Sequence, residues 1–285
     1  MDATLRPGRP EDANTCGAIC YEAFKAIASQ HNFPPDFPSR EVAVDLLSML
    51  LSHPGFYAVV AEVDGCIVGS NFLDERSTIA GLGPITVEPS VQNSGIGRRL
   101  MEGLLERAAL RRFPGVRLVQ AAYHTRSLSL YAKLGFTIRE ALAGMQGTPL
   151  RVAIPGYTVR QATEGDLRAC NQVCTRVHGH DRSGELRDAI QQGTATVVEH
   201  NGRITGYATA VGWFAHAVGE SNEELKALIG AAPAYVGPGF LLPTRNTELL
   251  RWCLEQGLRV VQVMTLMSIG LYNEPAGACL PSVLY

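Results

Sequence analysis

The sequence predicts an α/β chain built twice, and three observations carry that prediction. A strand gives way to a helix through a glycine turn in the run Val87-Glu88-Pro89-Ser90-Val91-Gln92-Asn93-Ser94-Gly95-Ile96-Gly97-Arg98-Arg99-Leu100. Stretches of period-two and period-3.6 apolar spacing alternate along the chain. The opening of the chain also returns 154 positions later, with Arg6, Asp12, Cys16 and Cys20 matched by Arg160, Asp166, Cys170 and Cys174.

Taken in order, a strand is predicted near residues 3–7, followed by helices over about 11–29 and 39–52. Ala13, Cys16, Cys20, Ala23, Phe24 and Ile27 fall on the inner face of the first helix. Three antiparallel strands follow near 56–63, 66–74 and 78–88, the first two joined by the hairpin signal Asp64-Gly65. Leu100, Leu104 and Ala108, widened by Met101 and Leu105, mark a helix over about 95–111. A strand from Arg117 to Tyr123, a helix over about 126–134 and a strand from Phe136 complete the first copy.

The glycine turn sits where a helix begins. Unpaired backbone N–H groups and the positive end of the helix dipole face an anion there, and Gly95 and Gly97 remove the Cβ atoms that would hold phosphates away. A Walker loop needs four residues between its glycines and then Lys-Ser or Lys-Thr, whereas a single Ile and then Arg98 stand here. A dinucleotide fingerprint needs a third glycine, where this chain has Leu100, and a later acidic ribose ligand that the stretch from Gly115 to Gln120 does not supply.

Gln92-x-x-Gly95-x-Gly97 resembles the Q/R-x-x-G-x-G/A loop of the GNAT acetyltransferase superfamily, which cradles the pyrophosphate of acetyl-coenzyme A. Leu130-Tyr131-Ala132-Lys133-Leu134-Gly135-Phe136 resembles the superfamily's L-Y-x-x-x-G-F segment. The resemblance implies a mixed-sheet α/β (α+β) fold in two tandem GNAT-like domains. It also implies acetyl-CoA as cosubstrate, with no metal, and a pantetheine arm lying between two splayed strands against Ile85, Thr86 and Val87. Gln92, Asn93, Ser94, Gly95, Ile96, Gly97, Arg98 and Arg99 are the expected cofactor-binding loop. Two positions depart from the family pattern: His124 stands where asparagine is frequent, and Ser127 where alanine is frequent.

Bulk properties bound the function. At 285 residues the chain suits two domains, and its 46% apolar and 18% charged composition is globular. A net charge of −2 argues against nucleic acid as the main partner. The arginines 98, 99, 111, 112 and 117 are available to screen cofactor phosphates or simply to face solvent. No apolar run reaches membrane-span length and residues 1–15 lack a secretory h-region, so a cytoplasmic, non-membrane protein is expected. Seven scattered cysteines without C-x-x-C spacing read as reduced core thiols. A zinc role for Cys16/Cys20 with Cys170/Cys174 is weaker than core packing, and His178-Gly179-His180-Asp181 lacks a third ligand in view.

The hairpin around Asp64-Gly65 aligns with that around Asn201-Gly202 at an offset of 137, so the second copy has lost about 17 residues (154 − 137) before it. A domain over 1–147 holding the acetyl-CoA site and a second, degenerate domain over 156–285 are expected, joined across Gly144 to Gly156. The stretch from Gly237 to Glu248 is the expected counterpart of the phosphate turn, with Pro243 and Glu248 opposing an anion, and Leu271-Tyr272 the counterpart of the tyrosine segment. The second copy is expected to shape the acceptor site, a homodimer or simply the core, with Trp213, Phe214 and His216 as candidate substrate walls.

Acetyl transfer to a primary amine of a small molecule, peptide or protein requires an oxyanion donor, a proton for the sulfur and a base. A backbone N–H of the strand ending at Val87 suits the first and Tyr131 the second. Glu75 and His124 are the candidate bases, with Asp74 beside Glu75. Asp36, in Phe33-Pro34-Pro35-Asp36-Phe37-Pro38, is placed to attract a cationic amine. The competing function is a non-catalytic acyl-CoA-binding or interaction module.

Overall fold

The computed structural model describes residues 3–284. The first half runs β1 (Thr4–Pro7), α1 (Ala13–Gln30), α2 (Arg40–Ser52), β2 (Phe56–Val63), β3 (Cys66–Asp74), β4 (Ala80–Leu82), β5 (Thr86–Val87), α3 (Ile96–Leu110), β6 (Gly115–Ala121), α4 (Thr125–Lys133) and β7 (Thr137–Gln146). The second runs β8 (Tyr157–Gln161), α5 (Leu167–His178), α6 (Ser183–Gln191), β9 (Thr196–His200), β10 (Arg203–Ala208), β11 (Ala217–Gly219), α7 (Asn222–Ala231), β12 (Phe240–Pro243), α8 (Thr247–Glu255), β13 (Arg259–Gly270) and β14 (Ala278–Leu280).

The strand expected over 78–88 is two strands. β4 pairs with both β3 and β6, and after Gly83-Pro84 the chain re-forms as β5, which pairs with β3. That break opens the sheet: β4 lies parallel to β6 at Ala80–Val116 and Gly81–Arg117, whereas β5 and β6 diverge.

The repeat is visible as chemistry. Arg6 donates to both carboxylate oxygens of Asp12, at 2.8 and 2.9 Å, and to Glu62 at 2.8 Å. Arg160 makes the same bonds to Asp166 and Glu199, each at 2.8 Å. In each half the arginine's hydrogen bonds hold the helix-leading aspartate below the usual carboxylate range. The hairpins match as well, with Asp64 and Gly65 at φ +50 and +77° and Asn201 and Gly202 at +50 and +73°.

The halves are joined by an exchange of strands. The larger sheet has the order β1-β2-β3-β4-β6-β13-β7-β12, so β13 lies between β6 and β7, while β7 lies between β13 and β12. Each half thus receives the last long strand of the other next to its penultimate one. β7 runs on to Gln146, into the stretch from Gly144 that was expected to be linker, and β13 fills the edge beside β6. Leu280 belongs to the second sheet, ordered β14-β11-β10-β9-β8, and Tyr285 lies outside the described residues.

Periodicity explains the packing. Ile96, Leu100, Met101, Leu104 and Ala108 form one buried stripe on α3, against Val59, Ala61 and Leu118 of the sheet. Cys16 and Cys20 pack with Leu47, Leu50 and Phe72, and Cys170 and Cys174 with Val197 and Tyr207. Burial pushes the thiols up, Cys16 to about 11 and Cys170 to about 12. Among the described residues, no helix is long and apolar enough to cross a membrane.

Candidate active site

The divergence of β5 from β6 opens a cavity of about 720 Å³. Its floor is the start of α3. Gly95 precedes the helix at φ +88°, a left-handed conformation that favours glycine, and a Cβ there would meet nothing within 4 Å. Arg99 N–H makes the first turn's bond to Gly95 O at 3.2 Å, so the N–H groups of Ile96, Gly97 and Arg98 precede the helical ladder. Asn93, Gly95, Ile96, Gly97 and Arg98 all line the cavity. The loop is braced from α4: Arg126 donates to Gln92 Oε1 at 2.6 Å and Asn93 Oδ1 at 3.3 Å, and Gln92 Nε2 donates to Val87 O at 3.0 Å. Ser94 turns back to Val91 O at 2.6 Å. These donors, with the cationic Arg98 and Arg126 beside them, fit a pyrophosphate.

Ile85, Thr86 and Val87 line the side wall. Glu88 N–H bonds Val68 O at 2.8 Å, so by strand alternation the N–H of Val87 lies on the opposite edge, toward the gap.

Tyr131 and His124 reach the same cavity from α4. Tyr131 is 5% exposed, edge-on to Phe136 at 6.2 Å. Burial pushes its phenol up to about 12, against a smaller opposing effect of the Ser127 hydroxyl. His124 caps α4, its Nδ1 accepting Ser127 N–H at 3.1 Å, which leaves the proton on Nε2, 3.3 Å from Ser127 Oγ. Burial and then Arg126 lower its pKa. His124, Ser127 and Tyr131 therefore form a polar chain, and the imidazole is spent on the cap.

Glu75 is not brought to this site. It accepts from Arg107 at 2.7 and 3.0 Å and lies 3.7 Å from Arg111, apart from the residues that line the cavity. Asp74 is likewise held by Arg76, at 2.6 Å. The carboxylate that does line the cavity is Asp36. Burial raises its pKa to about 6, opposed by a hydrogen bond from Gln262 Nε2 at 3.4 Å. The sequence singled out Asp36 for its charge; Gln262, 226 residues away, carried no signal at all.

The second half closes the far end. Trp213, Phe214, Met264, Val283 and Leu284 line the same cavity. His216 does not: its Nε2 lies 3.0 Å from His178 Nε2, and both rings are buried together with His180. Asp181 accepts from Ser183 N–H at 2.9 Å and from Asn171. Burial, and then Arg182, hold His178 and His216 well below the usual imidazole range, and burial with Arg117 and Arg182 lowers His180 to about 4.

These depressed values have a stability consequence. Unfolded imidazoles bind protons below about 6.5, and the folded ones do not, so their contribution is complete above that pH and is lost as pH falls toward the folded values, by about 1.4 kcal/mol per pH unit per histidine. Asp36, whose folded pKa is raised, opposes this over the same window but is one group against three. The urea midpoint should fall clearly between pH 7 and 5; a flat midpoint would contradict the buried neutral cluster.

The counterpart of this site in the second half is not where the sequence put it. β11 pairs with β10 as β5 pairs with β3, and α7 follows β11, so the equivalent of the phosphate turn is Gly219-Glu220-Ser221-Asn222 rather than Gly237 to Glu248. Similarly α8, not Leu271-Tyr272, matches α4: Asn246 caps it as His124 caps α4, Cys253 takes the place of Tyr131, and Gly257 at φ +87° that of Gly135 at +95°. α7 starts with a capping box, Ser221 Oγ accepting Glu223 N–H at 3.2 Å and Glu224 accepting Ser221 N–H at 2.8 Å. With Glu220 and Glu223 beside it, this helix start is sealed and acidic. β14 pairs along the outer edge of β11, Ala217–Leu280 to Gly219–Ala278, on the edge that faces the open gap in β5.

Residues 22–136 match the acetyltransferase (GNAT) family. That match lies wholly within the first half of the chain. No protein of curated function matches the sequence. A Pyrococcus horikoshii protein assigned as an acetyltransferase shares the fold with TM-score 0.75 at 18% identity, covering 97% of this chain and 94% of its own. A GCN5-related N-acetyltransferase from Sphaerobacter thermophilus gives 0.60 at 18%, covering 95% and 96%. A tandem GNAT protein of the clavulanic acid biosynthesis pathway gives 0.57 at 13%, covering 94% and 98%. The fold is thus α/β with mixed sheets, in two tandem GNAT-like units, and the family match over residues 22–136 supports an acyltransferase.

Proposed function

We propose that this protein is an N-acetyltransferase that moves the acetyl group of acetyl-CoA to a primary amine, with one active site per chain. That site is assigned to the domain over residues 1–147, and the domain over 156–285 serves as its wall. The observation that carries the reading is the convergence of an uncapped helix start, Tyr131 and Asp36 on a single cavity.

The cofactor supplies an activated thioester. The N–H groups of Ile96, Gly97 and Arg98 hold its pyrophosphate, with Arg126 adding positive charge. Val87 N–H donates to the carbonyl oxygen as negative charge grows there. The amine nitrogen forms its bond to the acetyl carbon while the carbon–sulfur bond breaks. Asp36 accepts the proton that the nitrogen sheds, and Tyr131 gives its phenolic proton to the departing sulfur. Ser127, between His124 and Tyr131, holds the phenol in line, and the phenolate regains its proton from solvent through the open cavity. Glu75 has no part in this scheme, and His124 serves behind the tyrosine rather than as the amine's base.

The silence of the second half has support in two features, the sealed acidic start of α7 and β14 lying where a pantetheine arm would run. Calorimetric titration with acetyl-CoA should therefore give one equivalent per chain, and thioester turnover across a panel of amines should detect acetylation. Two equivalents would overturn the single-site reading. Binding without acetylation of any amine would favour the acyl-CoA-binding module.

A further inference from the structure

The acceptor end of the cavity differs in chemistry from the cofactor end. The cations that line the cavity, Arg98, Arg126 and Lys133, all stand on α3 and α4. Across from them Asp36 faces the cavity with a neutral amide, Gln262, as its polar partner. Gln262 Nε2 also reaches Tyr123 Oη at 3.3 Å. The loop bearing Asp36 is fixed on both sides by rings: Phe33 stacks on Tyr123 at 4.2 Å and 14°, and Phe37 meets Phe24 edge-on at 5.7 Å. Asp36 is thus a positioned group rather than a free loop charge.

The remaining walls at this end are mostly apolar, with Phe24, Phe37 and Leu46 from the first half and the rest from the second. Trp213 is 3% exposed, backed by Gly144, where a Cβ would come within 3.0 Å of the indole. Phe214, Met264 and Leu284 complete the surface. A volume of about 720 Å³, shared with the cofactor arm, is that of a small-molecule pocket rather than a channel for a folded protein segment.

We propose that the acceptor is a small free amine with a flat apolar body and no carboxylate of its own, its ammonium held by Asp36 and its body against Trp213 and Phe214. This rests on the acetyltransferase reading and narrows it. A single carboxylate among apolar walls attracts one cation, and it repels a substrate carboxylate that would find no counter-charge at this end. A ring is favoured over a chain because the rings of Phe24, Phe37, Tyr123 and Phe214 also line the cavity. The same carboxylate sets the pH response. Of the titratable groups facing it, Tyr123 is raised to about 12 and the Cys20 thiol is raised by burial, so neither ionises near neutrality. His31, against Tyr123 at 5.2 Å, and His124 are the remaining ones nearby.

The test compares phenethylamine and tryptamine with phenylalanine, tryptophan and a lysine-bearing peptide as acceptors for acetyl-CoA. The two amines should be acetylated with kcat/KM at least 100-fold above their amino-acid counterparts and the peptide. Asp36→Asn should lower kcat/KM for phenethylamine by 100-fold or more and erase an acid limb near pH 6, while the thermal shift caused by acetyl-CoA persists. Trp213→Ala should raise KM for tryptamine at least tenfold and leave kcat within a few-fold. Equal use of phenylalanine, or an Asp36→Asn enzyme with unchanged kcat/KM and pH profile, would overturn the inference. Acetyl-CoA binding without turnover of either amine would overturn it too and leave the cofactor site standing; absence of acetyl-CoA binding would instead overturn the proposed function itself.

Discussion

Tyr131→Phe is expected to slow acetyl transfer by about 10²–10⁴-fold, the range that a positioned proton donor contributes, while acetyl-CoA binds nearly as before. The separation follows from where the residue sits. The ring is held edge-on to Phe136 and packs in the core beneath α3 and α4, and phenylalanine keeps that ring. Only the hydroxyl is lost, leaving Ser127 with one partner fewer. A phenol raised to about 12 stays protonated across the working range, so the wild-type rate should show no basic limb from this group below pH 10. The measurement is kcat beside the cofactor-induced thermal shift. A variant with full kcat would remove Tyr131 from the chemistry, and one that no longer binds cofactor would make it a structural residue.

Gly97→Glu is expected to abolish cofactor binding outright. A Cβ on Gly97 would meet Leu130 and Val87 at 3.8 Å, ordinary contact, so the backbone tolerates a side chain and the fold should survive. What the glutamate adds is bulk and negative charge at the helix start where phosphate must sit. A ligand at a hundred times its Kd stabilises a protein by about 2.7 kcal/mol, which in a chain of this size is several degrees in Tm. That shift should vanish in Gly97→Glu while the unliganded Tm stays close to wild type. Gly97→Ala, which adds no charge, separates steric from electrostatic exclusion by its intermediate shift. Retention of the full shift by Gly97→Glu would place the cofactor elsewhere.

The strand–turn–helix junction was legible because its signals are local. Glycines, apolar period and helix start lie within one run from Val87 to Leu100, and the donors freed there depend on backbone geometry alone. The duplication was legible for a related reason: Arg6 with Asp12 and Arg160 with Asp166 are short-range pairs that survive as sequence spacing. The second copy's phosphate turn was misplaced because no G-x-G pair marks it, Gly219 standing alone there. Ser221 and Glu224 cap α7 so well that the segment reads as an ordinary helix start, and the nearest glycine-rich stretch, Gly237 to Gly239, drew the alignment past it. Glu75 misled because a strand-end carboxylate looks free in sequence, whereas Arg107, 32 residues on, claims it.

By itself the sequence determined the periodic elements, the twofold repeat and the anion-ready turn, all consequences of neighbours within a few residues. Tertiary structure alone decided the exchange of β7 and β13 between halves, the laying of β14 along β11, and the meeting of Asp36 with Gln262 across 226 residues. The physical reason is that backbone hydrogen bonds between strands are nearly blind to side-chain identity. Many pairings satisfy the same alternation, and only the packing of both halves around one sheet selects among them.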